Sequence, residues 1–204
     1  AAGRRFRPPG NLKRARRRRQ PAGAPAPKPV RTTDARRVAY DALTAFDRRH
    51  VFVSDVLDES FSEHRLPAVD RALAVEITAG VVRRMRTLDA ILAPHIRRPR
   101  EFIEPGLWTL LRIGVYQLVF LKTPAHAAVH ETVELARRLQ KPRWVRFANA
   151  VLRSAQRDLT DESVPEPAAD AVPVLQSGSG AAPVWRYRRL RRPYFPDPVI
   201  DCAG

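Results

Sequence analysis

The segment PGLWTLLRIGVYQLVFL, residues 105–121, constrains this chain more than any other feature. Leu107, Leu110, Leu111, Gly114, Val115 and Leu118 recur at helical spacing, and Val119 and Phe120 widen the apolar surface well beyond one stripe. A helix this apolar must be surrounded by other elements, because a surface helix needs a polar face for water. It is shorter than the roughly 20 apolar residues that a membrane span requires and carries Arg112 and Gln117 in its middle. The segment therefore predicts the central helix of a packed bundle.

The flanking sequence supplies amphipathic partners for it. In TTDARRVAYDALTAF, Thr33 or Asp34 suits an N-cap, and Val38, Ala42, Leu43 and Phe46 form one stripe with Arg36 and Arg37 beside it. SDVLDESF offers Ser54 as a cap and Val53, Val56, Leu57 and Phe61 as a buried face. Pro67 suits the first turn of the longest segment, which turns Ala74, Ile77, Val81, Leu88 and Ile91 inward, with a break expected near Thr87. Gly80 lets another helix approach, and Gly106 and Gly114 read as close helix crossings. Pro124 opens HAAVHETVELARRL, and Pro142 precedes RWVRFANAVLRSAQRDL, whose Trp144, Ala148, Val151, Leu152, Ala155 and Leu159 line one face. The expected fold is all-α, with six or seven helices between residues 32 and 160.

Charge is distributed unevenly around this unit. The chain of 204 residues has a formal net charge of +16, and residues 1–31 carry eleven Lys or Arg and no acid. That basic, proline-interrupted composition predicts a disordered arm, with Arg14, Arg16, Arg17, Arg18 and Arg19 as sequence-independent phosphate contacts. It holds no apolar stretch resembling a secretory signal, and a cytoplasmic location is expected. Residues 161–183 are rich in Pro, Ala, Gly and Ser and read as a linker. Residues 184–204 alternate aromatic and arginine residues and read as the truncated start of a following domain, in the form of a short strand pair or an RNA-stacking patch.

No complete catalytic constellation is evident in the sequence. The single cysteine, Cys202, excludes an internal disulfide and a cysteine zinc site. His126 and His130 have the i, i+4 spacing of two metal ligands, with Glu131 or Glu134 as a third. The glutamate of the zinc-protease pattern does not stand between them, so they are assigned to a helix start or to packing, and no metal is expected. Gly178 and Gly180 follow no strand and open no apolar helix, which leaves no phosphate loop or dinucleotide loop there. Met85 reads as core filler or surface.

What remains is basic. Arg36 and Arg37 lie on the first helix, Arg83, Arg84 and Arg86 form a run, and Arg137, Arg138, Lys141, Arg143 and Arg146 cluster near the start of the last helix. With the arm, these favour nucleic acid as partner. No helix-turn-helix, zinc-finger or basic-zipper spacing is evident, which favours RNA over specific reading of a DNA major groove.

The segments ARRVAYDAL, DRALAVEITAGVVRR, LDAIL, LWTLLRIGVYQLVFL, PAHAAVHETVELAR and FANAVLR, in this order, resemble the NusB-like family over about residues 34–158. The resemblance implies a bundle of about seven helices that binds RNA. It also makes Arg36 and Arg37 the best candidates for phosphate contact, and gives Phe147 and Asn149 a role in packing and helix–helix bonding with a contact to RNA. The Arg83, Arg84 and Arg86 cluster is added by the charge reading alone.

Two branches of the family carry such a domain. Free antitermination factors pair with a small-subunit ribosomal protein on leader RNA. RsmB-type enzymes, which methylate carbon 5 of a cytosine in 16S ribosomal RNA, carry it at their N-terminus. The PAHAAVHETVELA segment, Arg153 after NAVL, and the Phe-Pro-Asp-Pro stretch resemble the second branch more closely. Such enzymes need an S-adenosylmethionine domain and two catalytic cysteines, which this sequence does not contain. The expectation is therefore an rRNA-docking domain with no catalytic residues of its own, whose start at Ala suggests a partial or mis-split reading frame; the alternative is a standalone antitermination factor. Neither a metal nor a membrane is expected as a partner.

Overall fold

The computed structural model describes residues 33–49, 51–63, 66–166, 168, 170–176 and 184–192. Within them, seven α-helices precede three strands: α1 Thr33–Arg49, α2 Val53–Glu63, α3 Ala68–Arg83, α4 Met85–Leu92, α5 Pro105–Phe120, α6 Ala125–Arg138 and α7 Pro142–Asp158, then β1 Leu159–Val164, β2 Ala171–Gln176 and β3 Val184–Leu190. Two single-turn 3₁₀ helices, Ala93–His95 and Arg100–Phe102, bridge α4 to α5.

As its apolar breadth dictates, α5 is the hub. Every residue from Gly106 to Val119 is buried, and α1, α3, α4, α6 and α7 all pack on it. Two glycines set how closely neighbours approach. A methyl group on Gly80 of α3 would lie 2.0 Å from the ring of Tyr116 on α5, and one on Gly114 of α5 would lie 2.7 Å from Leu152 of α7. Gly106 instead accommodates the Tyr40 hydroxyl and the Trp144 ring. Pro67 and Pro124 occupy the positions just before α3 and α6, where a fixed φ directs the chain into the first turn.

Some boundaries differ from expectation. The long third segment divides at Arg84, whose backbone (φ −120°, ψ 22°) leaves the helical region, rather than near Thr87. Thr87 is buried inside α4. Helix α2 begins at Val53, so Ser54 stands within its first turn and its hydroxyl bonds to Asp55 at 3.2 Å instead of capping.

The larger difference lies beyond α7. Residues 161–183, expected as a linker, contribute most of β1 and all of β2. With β3 they form an antiparallel sheet of order β1-β3-β2, in which Val172 pairs with Arg188 and Ser163 also faces Arg188. Proline and alanine content hid the strand signal, but Val172 is fully buried and, with Leu190, joins the helical core. Arg188 Nη1 donates to the Leu118 carbonyl near the end of α5 at 3.3 Å, and the Arg191 amide donates to the Asp158 carbonyl at the end of α7 at 2.8 Å. The sheet is thus fastened to the bundle by apolar burial and by bonds to two helix C-termini, whose last carbonyls lack partners within the helix.

Candidate nucleic-acid interface

The two arginines singled out on α1 have opposite fates. Arg36 is 4% exposed. Its Nε donates to Gln117 Oε1 at 2.5 Å, its Nη1 lies 3.8 Å from Glu131 Oε2, and burial pulls its pKa down against the opposing pull of Glu131 and Asp70. Gln117 is fully buried. Its amide nitrogen donates to the Ile113 carbonyl and, at 3.3 Å, to the Thr132 hydroxyl. Arg36 therefore ties α1 to α5 and α6, and the expectation that it meets RNA phosphate is corrected: the α-helical phase that buries Val38, Ala39 and Leu43 turns Arg36 inward as well. Arg37, the next residue, points to solvent and pairs with Asp41 one turn on at 2.6 Å.

A second internal arginine, Arg112, receives the same treatment on the opposite side of α5. It grips Asp89 through Nε at 2.7 Å and Nη2 at 2.6 Å, with Asp47 at 3.9 Å, while Trp108 Nε1 shares Asp89 at 2.7 Å. In the sequence, Arg112 and Gln117 count only against a membrane span. The usable signal was there: a charged or amide side chain inside an apolar helix must find a buried partner.

At the α3–α4 break, Arg83 and Arg86 are exposed and make no ion pair with any described residue. The Arg84 guanidinium stacks on Phe120, 4.4 Å from the ring centroid, and Phe120 stacks on Tyr116 at 5.4 Å. The Tyr116 hydroxyl donates to Glu76 at 2.6 Å, and burial with that acceptor raises its pKa. The run thus holds two outward cations beside an Arg–Phe–Tyr stack.

On α7, Phe147 is half-buried against the core. Asn149 bonds along its own helix, its Oδ1 accepting from Arg153 Nε at 3.1 Å, and among the described residues it makes no bond to another helix. His126 and His130 are both exposed on α6, which removes the packing role expected of them. Met85 is half-buried. Among the described residues, no group of three His, Cys, Asp or Glu side chains is placed to hold a metal ion, and no helix is long and apolar enough to cross a membrane. The arm residues Arg14, Arg16, Arg17, Arg18 and Arg19 lie outside the described residues, as does Cys202.

A buried histidine went unnoticed in the sequence. His95 ends the first 3₁₀ turn and faces α7, with Nδ1 3.0 Å from Ser154 Oγ and Nε2 3.6 Å from Asp158. Burial lowers its pKa; Asp158 opposes this, and Arg192 and Arg157 add to it. Arg192, just past β3, also pairs with Asp158 at 3.2 Å. No spacing pattern announces such a group, because its partners come from α7 and from the segment past β3, both far away in sequence.

The helical unit coincides with a known family. Residues 33–157 match the model of the NusB family. The chain belongs to the NusB family. Its relatives in that family include a ribosomal RNA small subunit methyltransferase B of Vibrio cholerae, 37% identical over 125 residues that cover 61% of this chain and 27% of that protein. They also include a transcription antitermination protein NusB of Shewanella oneidensis, 32% identical over 126 residues that cover 61% of this chain and 94% of that protein. The chain thus spans under a third of the methyltransferase relatives it matches. Among solved structures, NusB in a crystal with NusE and double-stranded RNA superposes with a TM-score of 0.56 at 22% identity, covering 61% of this chain and 95% of that one. The NusB fold is therefore that of the helices, and the sheet lies beyond the matched residues.

Proposed function

We propose that this NusB domain binds RNA, and that it is the rRNA-docking domain of a 16S ribosomal RNA cytosine-5 methyltransferase. The observation that carries the second part is the sheet. The family match accounts for 94% of the Shewanella antitermination protein, whereas here the chain runs on from α7 into β1–β3, which share the helical core through Val172 and Leu190. A rigid joint of this kind is what a docking domain needs in order to hold a substrate in fixed orientation to a reacting centre, since misplacement by about 1 Å can cost on the order of 100-fold in rate. Identity is 32–38% with the methyltransferase relatives and 31–32% with the antitermination proteins, so the sheet and not the identity carries the choice of branch.

The RNA part rests on outward cations. Arg83 and Arg86 flank the Arg84–Phe120 stack, an arrangement suited to a phosphate beside a stacked base. Arg37 is exposed but shares its charge with Asp41. S-adenosylmethionine does not fit the described residues: β1, β2 and β3 contain no glycine and are all antiparallel, and no described residue after them is helical. The cofactor and the catalytic cysteines belong, in this proposal, to a separate domain, and the chain's own part is to bind and orient RNA.

Competition binding tests both parts. The full chain is titrated with a labelled fragment of 16S ribosomal RNA and with antitermination leader RNA, each with and without the small-subunit ribosomal protein that partners antitermination factors. The expected result is preference for the 16S fragment, unaffected by the ribosomal protein. Preference for leader RNA that requires the ribosomal protein assigns the chain to the antitermination branch, and absence of binding to either RNA overturns the RNA reading.

A further inference from the structure

Helix α7 carries four arginines, Arg143, Arg146, Arg153 and Arg157, and all four are exposed. At about 100° per residue they fall within an arc of about 80°. Trp144, Ala148, Val151, Leu152 and Ala155, which are buried, occupy the opposite side. The four span fifteen residues, a stripe about 21 Å long from first to last. Among the described residues none of the four is in an ion pair, and Arg153 donates to the neutral amide of Asn149. The acid of this helix, Asp158, is turned away, toward His95 and Arg192. His95 bonds to Ser154 of α7, and Arg97 and Arg98, which follow it in the chain, are exposed.

Like charges at i, i+3 and i, i+4, as in Arg143–Arg146 and Arg153–Arg157, destabilise a helix when nothing offsets them. The cost is only small for each pair, and no described acid pairs with these arginines, which leaves their charge available to an anion from outside. We propose that the outward face of α7 is a phosphate track for an RNA strand. The stripe suits a polyanion better than other acidic partners. It contains Ala150 and no aromatic or large aliphatic side chain, whereas a protein interface needs apolar anchors at its centre. A membrane-surface helix needs an apolar face free to insert, and that of α7 is spent on the bundle. Guanidinium groups match phosphate bidentately. This proposal rests on the RNA reading above and adds a surface to it, continuous from the start of α7 to the joint with the sheet.

The test compares two triple variants of the full chain, each with three positive charges removed. Arg146→Gln, Arg153→Gln and Arg157→Gln empty the stripe; Arg48→Gln, Arg49→Gln and Arg71→Gln remove exposed charge from α1 and α3. Binding of a fluorescein-labelled single-stranded RNA of mixed sequence is measured over a range of salt, with circular dichroism to confirm folding. The stripe variant is expected to bind about tenfold or more weakly at physiological salt, with a salt-dependence slope reduced by about 2, against little change in the control. The single variants Arg153→Gln and Arg157→Gln, each expected to lower the slope by about 0.7, provide the same reading should the triple variant fold poorly. Equal losses in both triple variants, or wild-type affinity in the stripe variant, overturn the track while leaving the RNA reading intact. Weakened binding of the stripe variant to phosphatidylserine vesicles with RNA binding unchanged also overturns it. No binding of RNA by the unmodified chain removes both readings at once.

Discussion

Helices α1 and α7 are each 17 residues long and each bear arginines, yet they use them in opposite ways. On α1, Arg36 is drawn into the bundle and its guanidinium holds Gln117 of α5 and Glu131 of α6. On α7, all four arginines stand on the outer arc, and none is in an ion pair among the described residues. The residue type is the same, and the phase against the core differs. Arg36 shares the arc of Val38, Ala39 and Leu43 closely enough to be buried, whereas Arg146 and Arg153 oppose Trp144 and Leu152. An arginine therefore serves the fold or the surface according to its angle on the helix, and adjacent positions such as Arg36 and Arg37 separate completely.

The largest expected effect breaks the inner side of this comparison. Arg36→Ala leaves the Gln117 carbonyl oxygen without its donor inside the bundle and should lower unfolding free energy by about 3 kcal/mol in urea titration. A loss below about 1 kcal/mol would mean that Arg36 is not a structural tie. Gly80→Ala probes the same inner layer without touching charge. Its methyl group would intrude on a Tyr116 ring held by Glu76 and Phe120, and a loss of about 2 kcal/mol is expected, read as a fall in thermal midpoint.

His95 sharpens the contrast at the joint with the sheet. Its folded pKa is lowered by burial, so between the ordinary histidine value of about 6.5 and that lower value the unfolded chain binds more protons than the folded one. Its contribution to stability is accordingly present above about pH 6.5 and lost as pH falls. Urea midpoints measured at about pH 7.5 and 5.5 should fall less in His95→Asn than in the unmodified chain. An equal fall in both would show that His95 does not carry this dependence. The smallest effect is on the outer side: Arg37→Ala removes an exposed i, i+4 pair and should cost at most about 0.5 kcal/mol. A loss as large as that of Arg36→Ala would erase the distinction between the two neighbours.

The helical bundle was largely legible in the sequence because each helix writes its buried face as a period, and because α5 announces its central place by being apolar all round. The break at Arg84 was misplaced by three residues, since the pattern of buried positions continues through it. The sheet was not legible as part of the core. A single fully buried valine, Val172, and the end residue Leu190 secure strands whose remaining composition reads as spacer, and the bonds that anchor them run to backbone carbonyls, which carry no sequence signature. Of the candidate interface, Arg83, Arg86 and Arg37 stand outward as charge reading expects. Arg36 does not, because charge alone carries no phase. The stripe on α7 was half visible as Arg143 and Arg146; Arg157 emerges only when the whole helix is turned on its axis.

The most direct test of the division between inward and outward arginines is photocrosslinking of the full chain to small-subunit ribosomal RNA, with mass spectrometry of the linked peptides. The account predicts adducts on peptides spanning residues 83–86 and 143–157, and none on Arg36. Adducts concentrated on α1 around Arg36, with the α7 peptides unlinked, would contradict it.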